Sequence, residues 1–374
     1  MRTYCKDIDI TDPTAIEKWV NICVSDPRKR HRNGFTRLMD RYGDAHGIAV
    51  EITKRIKARN LDLPPIQHRE AKDKSSGKIR NLGIESAMQQ CMDYVAVYAL
   101  MPMLKAKVGT YQCASVPNRG QVYGKRSLEK WIRRDHKGTK YYDKMDIKHC
   151  YESIDHEVAR RLLERDIGKN PTLVWFTMEL VKTYDKGLSI GSYLSQWLCN
   201  YIMSYAYHYV SESLYKERRG KRMPLVHHVL MFMDDIILFG SSKRDLKMAS
   251  KALTRYFKTN LGLTVKPNHH VKQTELEPPD MMGFVVGRKR TTIRARIFKR
   301  ARRVLLRARK KLLRGRRMPI EMARKIVSYA GYFKHTDSFA ISKKLHLAEL
   351  KKAAQKAVSD FQRGVNKNAS KNRV

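Results

Sequence analysis

The stretch VLMFMDDIILFG, residues 229–240, decides how the rest of the chain is read. Two aspartates, Asp234 and Asp235, stand side by side between short apolar runs of strand-favouring residues. The pattern predicts a β-hairpin with both carboxylates at its tip. An Asp-Asp pair in a turn is often turn chemistry alone, because Asp hydrogen-bonds its own backbone and tolerates tight conformations. The functional alternative is a pair of hard oxygen ligands for divalent cations. Adjacent carboxylates cannot both stay ionised without a cation or a proton. Mg²⁺ suits them, since it uses one or two carboxylates together with substrate phosphates.

A site for phosphoryl transfer wants a further carboxylate from elsewhere in the chain. The candidate lies in YDKMDIKHCYESI, residues 142–154. Residues 139–149 alternate like a strand, with Asp146 towards its end. A strand-end carboxylate beside a hairpin tip completes a two-metal site. Asp143 competes, but lies three residues earlier and so points to the opposite face of the strand. Asp146 is preferred because a bulky residue, Tyr151, follows five positions on.

The charge balance agrees with a phosphate-bearing partner. Lys and Arg number 77 against 36 Asp and Glu, a formal net charge of +41. Self-repulsion of that size opposes a compact state unless a partner offsets it. Nucleic acid does so, because neutralising phosphates releases counterions. An anionic membrane surface is the rival, but no basic amphipathic helix ends the chain beside a lipidation motif. No run of 18 apolar residues occurs, so a spanning helix is not expected. The N-terminus lacks an apolar signal core, which argues against export, and the expected location is the cytoplasm. The six cysteines form no CxxC pair and read as reduced thiols. His227-His228 and His269-His270 read as structural or solvated histidines.

A length of 374 residues suggests two or three subdomains. The expected division is an N-terminal helical extension over 1–60, a segment over 61–110, a mixed strand-and-helix middle over 111–290, a basic helical region over 291–361 and a disordered tail over 362–374. Helices are expected over 13–26, 45–60, 86–104, 155–166 (capped by Asp155), 192–216 and 243–262. Two short strands joined by a Ser-Ser-Gly turn are expected within 61–84. The mixed order predicts an α+β layer with helices on one face of an antiparallel sheet. Residues 294–317 hold 13 Lys and Arg and no acid, with one apolar stripe at helical spacing. Without acids each turn repels the next, which favours phosphate contact over a solvated face.

Several motifs in order resemble those of reverse transcriptases. MDIKHCYESI, GLSIGSYLSQ (187–196) and FMDDI resemble successive palm motifs of that superfamily. GKIRNLGIES (77–86) resembles its basic fingers segment, YQCASVPNRGQVYG (111–124) its YxxxPGRG motif, MMGFVV (281–286) its primer-grip turn and SYAGYFKHTDS (328–338) its thumb helix. Each motif alone is weak; four or more in the right order are strong. The resemblance implies an α+β right-hand polymerase with fingers over 61–110, a palm with interleaved fingers segments over 111–290 and a basic helical thumb over 291–361, in a bacterial host, with a phage or mobile element as one source of the gene. Asp146, Asp234 and Asp235, with the backbone carbonyl of Ile147, would hold two Mg²⁺ ions, with Mn²⁺ as a substitute. Tyr151 would exclude a 2′-hydroxyl. Lys72, Lys78 and Arg80 would grip the dNTP, with Gly191 against the new base pair. Ile190, Ser195 and Gln196 would bear on template and fidelity. Met282, Gly283 and Phe284 would form the primer grip. Arg300, Arg303, Arg307 and Lys311 would make the nucleic-acid face of the thumb.

The sequence departs from the family's usual pattern at Phe232 for Tyr, Met282 for Leu and Ile190 for Gln. The last, with Gln196 after Ser195 where the family usually has Pro, gives a variant that resembles diversity-generating retroelement enzymes and some defence-associated bacterial relatives; the first of these implies relaxed base selection, a structured template RNA and a small basic accessory protein. A defence-associated (antiviral) bacterial reverse transcriptase with its own noncoding RNA is the alternative within the superfamily. A non-catalytic, maturase-like RNA-binding scaffold is the alternative outside enzymology, and the retained aspartates and Tyr151 argue against it.

Overall fold

The computed structural model describes residues 3–72 and 79–371, and the side chains of all of these except Lys72 and residues 364–371. The chain opens with α1 (Pro13–Val24), α2 (Asn33–Tyr42) and α3 (Ala45–Lys57). The antiparallel ribbon β1 (Gln67–Lys72) and β2 (Ile79–Ile84) leads into α4 (Ala87–Lys107). β3 (Gln112–Cys113), α5 (Gln121–Arg134), β4 (Tyr141–Asp146), α6 (Cys150–Ser153), α7 (His156–Ile167), α8 (Pro171–Lys182) and α9 (Tyr193–His208) follow. Two hairpins come next, β5 (Tyr215–Arg218) with β6 (Lys221–Pro224), then β7 (His228–Phe232) with β8 (Asp235–Gly240). Then come α10 (Lys243–Leu261), β9 (Lys272–Gln273), β10 (Asp280–Met281), β11 (Phe284–Val286) and β12 (Thr291–Ile293). The chain closes with α11 (Ala295–Leu313), α12 (Ile320–Lys334), α13 (Phe339–Lys344) and α14 (Leu347–Lys371).

Two compact units result, each discontinuous in sequence. The first takes in Met1–Gly120, Asp143–Leu238 and Lys243–His270; the second takes in Gln121–Tyr142, Phe239–Ser242 and Val271–Val374. In the first unit α4 is buried on almost every side and packs against α1, α8 and α9. An all-round apolar helix belongs at the centre of a core, and α4 occupies that place. Local capping fixes where these helices start. The side chains of Asp12, Asp44, Ser86, Asp155, Asn170 and Ser192 each accept from a free N–H of the first turn.

The five-stranded sheet has the order β3-β7-β8-β4-β9. The two-residue β3 joins its edge parallel to β7, while β4 and β9 pair antiparallel. In the second unit, β10, β11 and β12 form an antiparallel meander. Its helices close over Ala301, Leu305, Ala308, Ile326, Ala330, Phe333 and Leu350. Burying a side chain such as Leu305 stabilises this cluster by about 2 kcal/mol.

The structure departs from the expected elements in two places. The helix expected over 192–216 ends at His208, passes through a wider π turn over Tyr209–Ser213 and gives way to β5. Apolar spacing cannot separate a widened turn from a continuing helix, and here the buried Leu214 turns the chain into a hairpin. Helix α14 continues to Lys371 through most of the segment expected as a disordered tail, because it propagates from a packed helix rather than nucleating afresh. Residues 372–374 lie outside the described residues, as do Lys78 and the expected Ser-Ser-Gly turn.

Candidate active site

The β7–β8 hairpin turns through Met233 and Asp234, with Met233 in the left-handed region at φ 53°. The turn leaves Asp234 at the tip and Asp235 as the first residue of β8. Strand β4 lies beside β8 and ends at Asp146. The next residue, Ile147, donates its N–H to the carbonyl of Asp234 at 3.1 Å. Ile147 also bridges Val265, and the Lys266 N–H donates to the Asp146 carbonyl at 2.8 Å. The backbone therefore fixes all three aspartates on adjoining chain segments.

Their electrostatics follow from that placement. The Asp234 carboxyl reaches solvent, yet the protein packed around it removes enough water to raise its pKa. The negative charges of Asp235 and Asp146 raise it further, while Lys266 opposes them. Lys266 Nζ approaches Asp146 Oδ1 to 2.5 Å, and Lys144 Nζ approaches Asp235 Oδ1 at 3.3 Å. Asp146 Oδ1 is buried, and the Lys266 ammonium meets it as a charge contact that lacks hydrogen-bond alignment. Among the described residues, no group of three or more His, Cys, Asp or Glu is closed around a metal-sized point. A buried carboxylate oxygen without a hydrogen bond, beside two further carboxylates, still fits a hard cation that draws its other oxygens from a substrate. Asp143 takes the opposite face, as its position in the strand predicts. It is buried and bonded to Ser250 Oγ at 2.6 Å and His269 Nδ1 at 2.9 Å. His269 is thus a structural histidine.

Tyr151 lies on the one-turn helix α6, which follows His149 in the left-handed conformation. Its ring is largely enclosed, burial raises its pKa, and its hydroxyl points to Met233 Sδ at 3.8 Å. The Tyr151 carbonyl accepts from Leu188 N at 2.8 Å, which ties the 187–191 loop to this helix. Gly191 has φ +120°, a conformation L side chains rarely adopt, and it leads into α9. Ile190 is half-buried, and Ser195 is buried at 1% exposure. Ser195 donates its N–H to Ser192 Oγ at 3.0 Å, so its place is inside the helix start.

The residue that organises this loop was not singled out in the sequence. Asp93, fully enclosed on α4, accepts from Ser192 Oγ at 2.7 Å and Leu194 N at 3.1 Å. Burial first, then the neighbouring charge of Glu85, raise its pKa far above the usual carboxylate range. Glu85 is raised by burial and accepts from the Tyr184 hydroxyl. Nothing in the local pattern of α4 marks Asp93, because its partners lie about a hundred residues away.

A cleft of about 380 Å³ opens beside Gly191 and Gln196, and Arg28, Lys29, Arg32 and Tyr193 also line it. The N-terminal extension thus contributes cations beside the α9 start, which the sequence did not indicate. Arg80 is exposed on β2 opposite Ala71, and Lys72 pairs in register with Ile79.

The remaining candidates belong to the second unit. Met282 and Gly283, both at positive φ, form the turn between β10 and β11. Gln121 Nε2 donates to the Met282 carbonyl and, at 3.0 Å, contacts the Tyr332 hydroxyl. Phe284 is buried with its ring 5.3 Å from Tyr332. On α11, Ala301, Leu305 and Ala308 face the core, which leaves Arg303 and Arg307 exposed and Arg300 and Lys311 half-exposed.

The family profile described as reverse transcriptase (RNA-dependent DNA polymerase) matches residues 71–286. The chain belongs to the reverse transcriptase family. Its fold is accordingly the α+β right-hand polymerase, with fingers, palm and helical thumb. The matched span holds every palm motif described above and the β10–β11 turn. Similar solved structures include apo telomerase from Candida tropicalis, at 10% identity and TM-score 0.46, covering 78% of this chain and 61% of that one. Another is telomerase from Candida albicans in complex with a TWJ fragment of telomeric RNA, at 12% identity and TM-score 0.46, covering 80% and 62%. The reverse transcriptase chain spans about three fifths of the length of these telomerase chains. No curated protein matches it.

Proposed function

We propose that this chain is an RNA-directed DNA polymerase whose catalytic residues are Asp146, Asp234 and Asp235. The observation that carries this reading is the backbone bond from Ile147 to Asp234, which holds the end of β4 against the β7–β8 tip. In the reaction a primer 3′-hydroxyl attacks the α-phosphorus of a dNTP. One O–P bond forms, the α–β anhydride bond breaks, and pyrophosphate leaves.

The three carboxylates and the Ile147 carbonyl are the groups that would hold Mg²⁺, two ions in all, with Mn²⁺ as a substitute. Bound ions of this kind lower the pKa of an attacking hydroxyl and neutralise charge on the transferring phosphoryl and leaving oxygens. The protein's own contribution is position. The Tyr151 ring packs where a ribose 2′-hydroxyl would project. Arg80, with Lys72 and Lys78, supplies cations to the triphosphate, a task suited to guanidinium geometry. Gly191 lets the nascent pair approach the backbone. The Met282–Phe284 turn supports the primer, and the basic face of α11 follows the RNA/DNA hybrid.

Within the family, the proposed role is cDNA synthesis in a diversity-generating retroelement from a structured template RNA, with a small basic accessory protein. Ile190 supports this reading, because an apolar side chain replaces a hydrogen-bonding amide beside Gly191. A defence-associated enzyme with its own noncoding RNA is the alternative, and a variable repeat near the gene would favour the first. The activity is tested with poly(rA)/oligo(dT), dTTP and Mg²⁺, repeated on the cognate RNA. Incorporation that vanishes in Asp234→Ala supports the proposal; incorporation that survives it refutes the assignment of the site.

A further inference from the structure

The hairpin β5–β6 is absorbed by none of the roles above. Its ten residues, YKERRGKRMP over 215–224, carry five cations and one acid. Every residue except Lys216 is exposed. The register separates the two faces. Tyr215 is opposite Pro224 and Glu217 opposite Arg222, so these four share one face. Arg222 lies over the Tyr215 ring at 4.5 Å, and that face holds the hairpin's only acid. The other face carries Lys216, Arg218, Lys221 and Met223 and no acid.

Three features of this second face work against the stability of the free protein. Arg218 and Lys221 are directly opposite, a like-charge pair that weakens a two-stranded ribbon. The two-residue turn is Arg219-Gly220, at φ 51° and 69°. A turn with both φ values positive favours Asn-Gly, and an arginine there costs free energy because its Cβ crowds the backbone. Arg218, Arg219 and Lys221 make no ion pair or side-chain hydrogen bond among the described residues. An isolated two-stranded hairpin is already marginal. At the base of this one, Leu225 N donates to Leu214 O at 3.0 Å between two buried leucines and Lys216 Nζ pairs with Asp245 at 2.5 Å.

We infer that the Lys216–Arg218–Arg219–Lys221 face of this hairpin is an RNA-docking ribbon that grips the phosphate backbone of a base-paired RNA stem. A cationic face without acids, on a ribbon strained and self-repelling when free, is relieved by a polyanion. Duplex RNA is read mainly through its backbone and shape, which suits a tip of arginine and lysine with no base-reading amide. The choice of RNA over another polyanion rests on the polymerase reading.

The test uses the full chain and a 20-base-pair RNA stem-loop, with binding followed by fluorescence anisotropy across a salt series. The variant Arg218→Ser/Arg219→Gly/Lys221→Ser is expected to bind roughly tenfold more weakly, with its log–log salt slope reduced by about 2 to 3. Arg219→Gly alone is expected to weaken binding while raising the melting temperature, since glycine accepts this turn. Unchanged affinity and slope in the triple variant would overturn the inference. So would a loss confined to phosphatidylserine vesicles. Incorporation of dTTP on saturating poly(rA)/oligo(dT) is expected to be unchanged in both variants. Wild-type protein that incorporates nothing on this template and on the cognate RNA, while the triple variant still loses slope on the RNA stem, would refute the polymerase reading and leave RNA docking standing.

Discussion

The N–H of Ile147 donates to the carbonyl oxygen of Asp234 at 3.1 Å. This bond sets the strand that ends in Asp146 beside the hairpin whose tip carries Asp234 and Asp235. It requires no side chain, so substitutions at the aspartates leave it in place. Around it, Lys266 and Lys144 neutralise charge that a divalent cation would otherwise meet.

That competition is measurable. Lys266→Met removes a cation 2.5 Å from Asp146. The pair is part-exposed and screened, worth well under about 1 kcal/mol. The Mg²⁺ concentration that half-stabilises the protein in thermal unfolding is expected to fall roughly threefold. An unchanged midpoint would separate Lys266 from the cation site.

The Asp93 network predicts a pH dependence. The folded pKa values of Asp93 and Glu85 are raised by burial, so the folded state holds protons that the unfolded chain gives up. Stability from this pair is complete below the ordinary carboxylate range and is lost as pH rises through the raised values. Asp93→Asn keeps an oxygen for Ser192 and Leu194 but cannot ionise. Melting temperatures across pH 4 to 9 should fall with rising pH in the wild type and fall less in the variant. Parallel curves would contradict the assignment.

Tyr151 makes a distinction between ring and hydroxyl. Its hydroxyl meets the soft acceptor Met233 Sδ, at 3.8 Å. Tyr151→Phe should therefore retain sugar discrimination. Tyr151→Ala should raise the ratio of ribonucleotide to deoxynucleotide incorporation by about 10- to 100-fold. Equal ratios in both variants would remove Tyr151 from the sugar site.

Gly283 carries a steric prediction for the second unit. It has φ +85°, and a Cβ there would fall 2.7 Å from Tyr332 Cε1 and 2.8 Å from Ile297 Cδ1. Gly283→Ala should destabilise that unit by about 2 kcal/mol or more in denaturant unfolding. A neutral effect would show that the turn relaxes freely.

Local chemistry was the legible part of the sequence. Asp155 caps α7 because its side chain meets an N–H two residues on, and the Asp143–Asp146 alternation follows from the strand repeat alone. The β7–β8 hairpin was legible for the same reason. Lys266 and Asp93 were not, because each meets the site through a fold-level contact with a distant segment. Hairpin β5–β6 hid behind an Arg-Gly turn where Asn-Gly is the usual signal. The grouping of residues 121–142 with the C-terminal unit is likewise invisible to a linear division.

The most direct test of the account compares single-nucleotide incorporation by wild type, Asp146→Asn, Asp234→Asn and Asp235→Asn with Mg²⁺ on the same primer–template. Each variant is expected to keep its fold, to melt no lower than wild type without metal, and to lose incorporation by about a thousandfold or more. An Asp146 variant with near-wild-type incorporation would contradict the account.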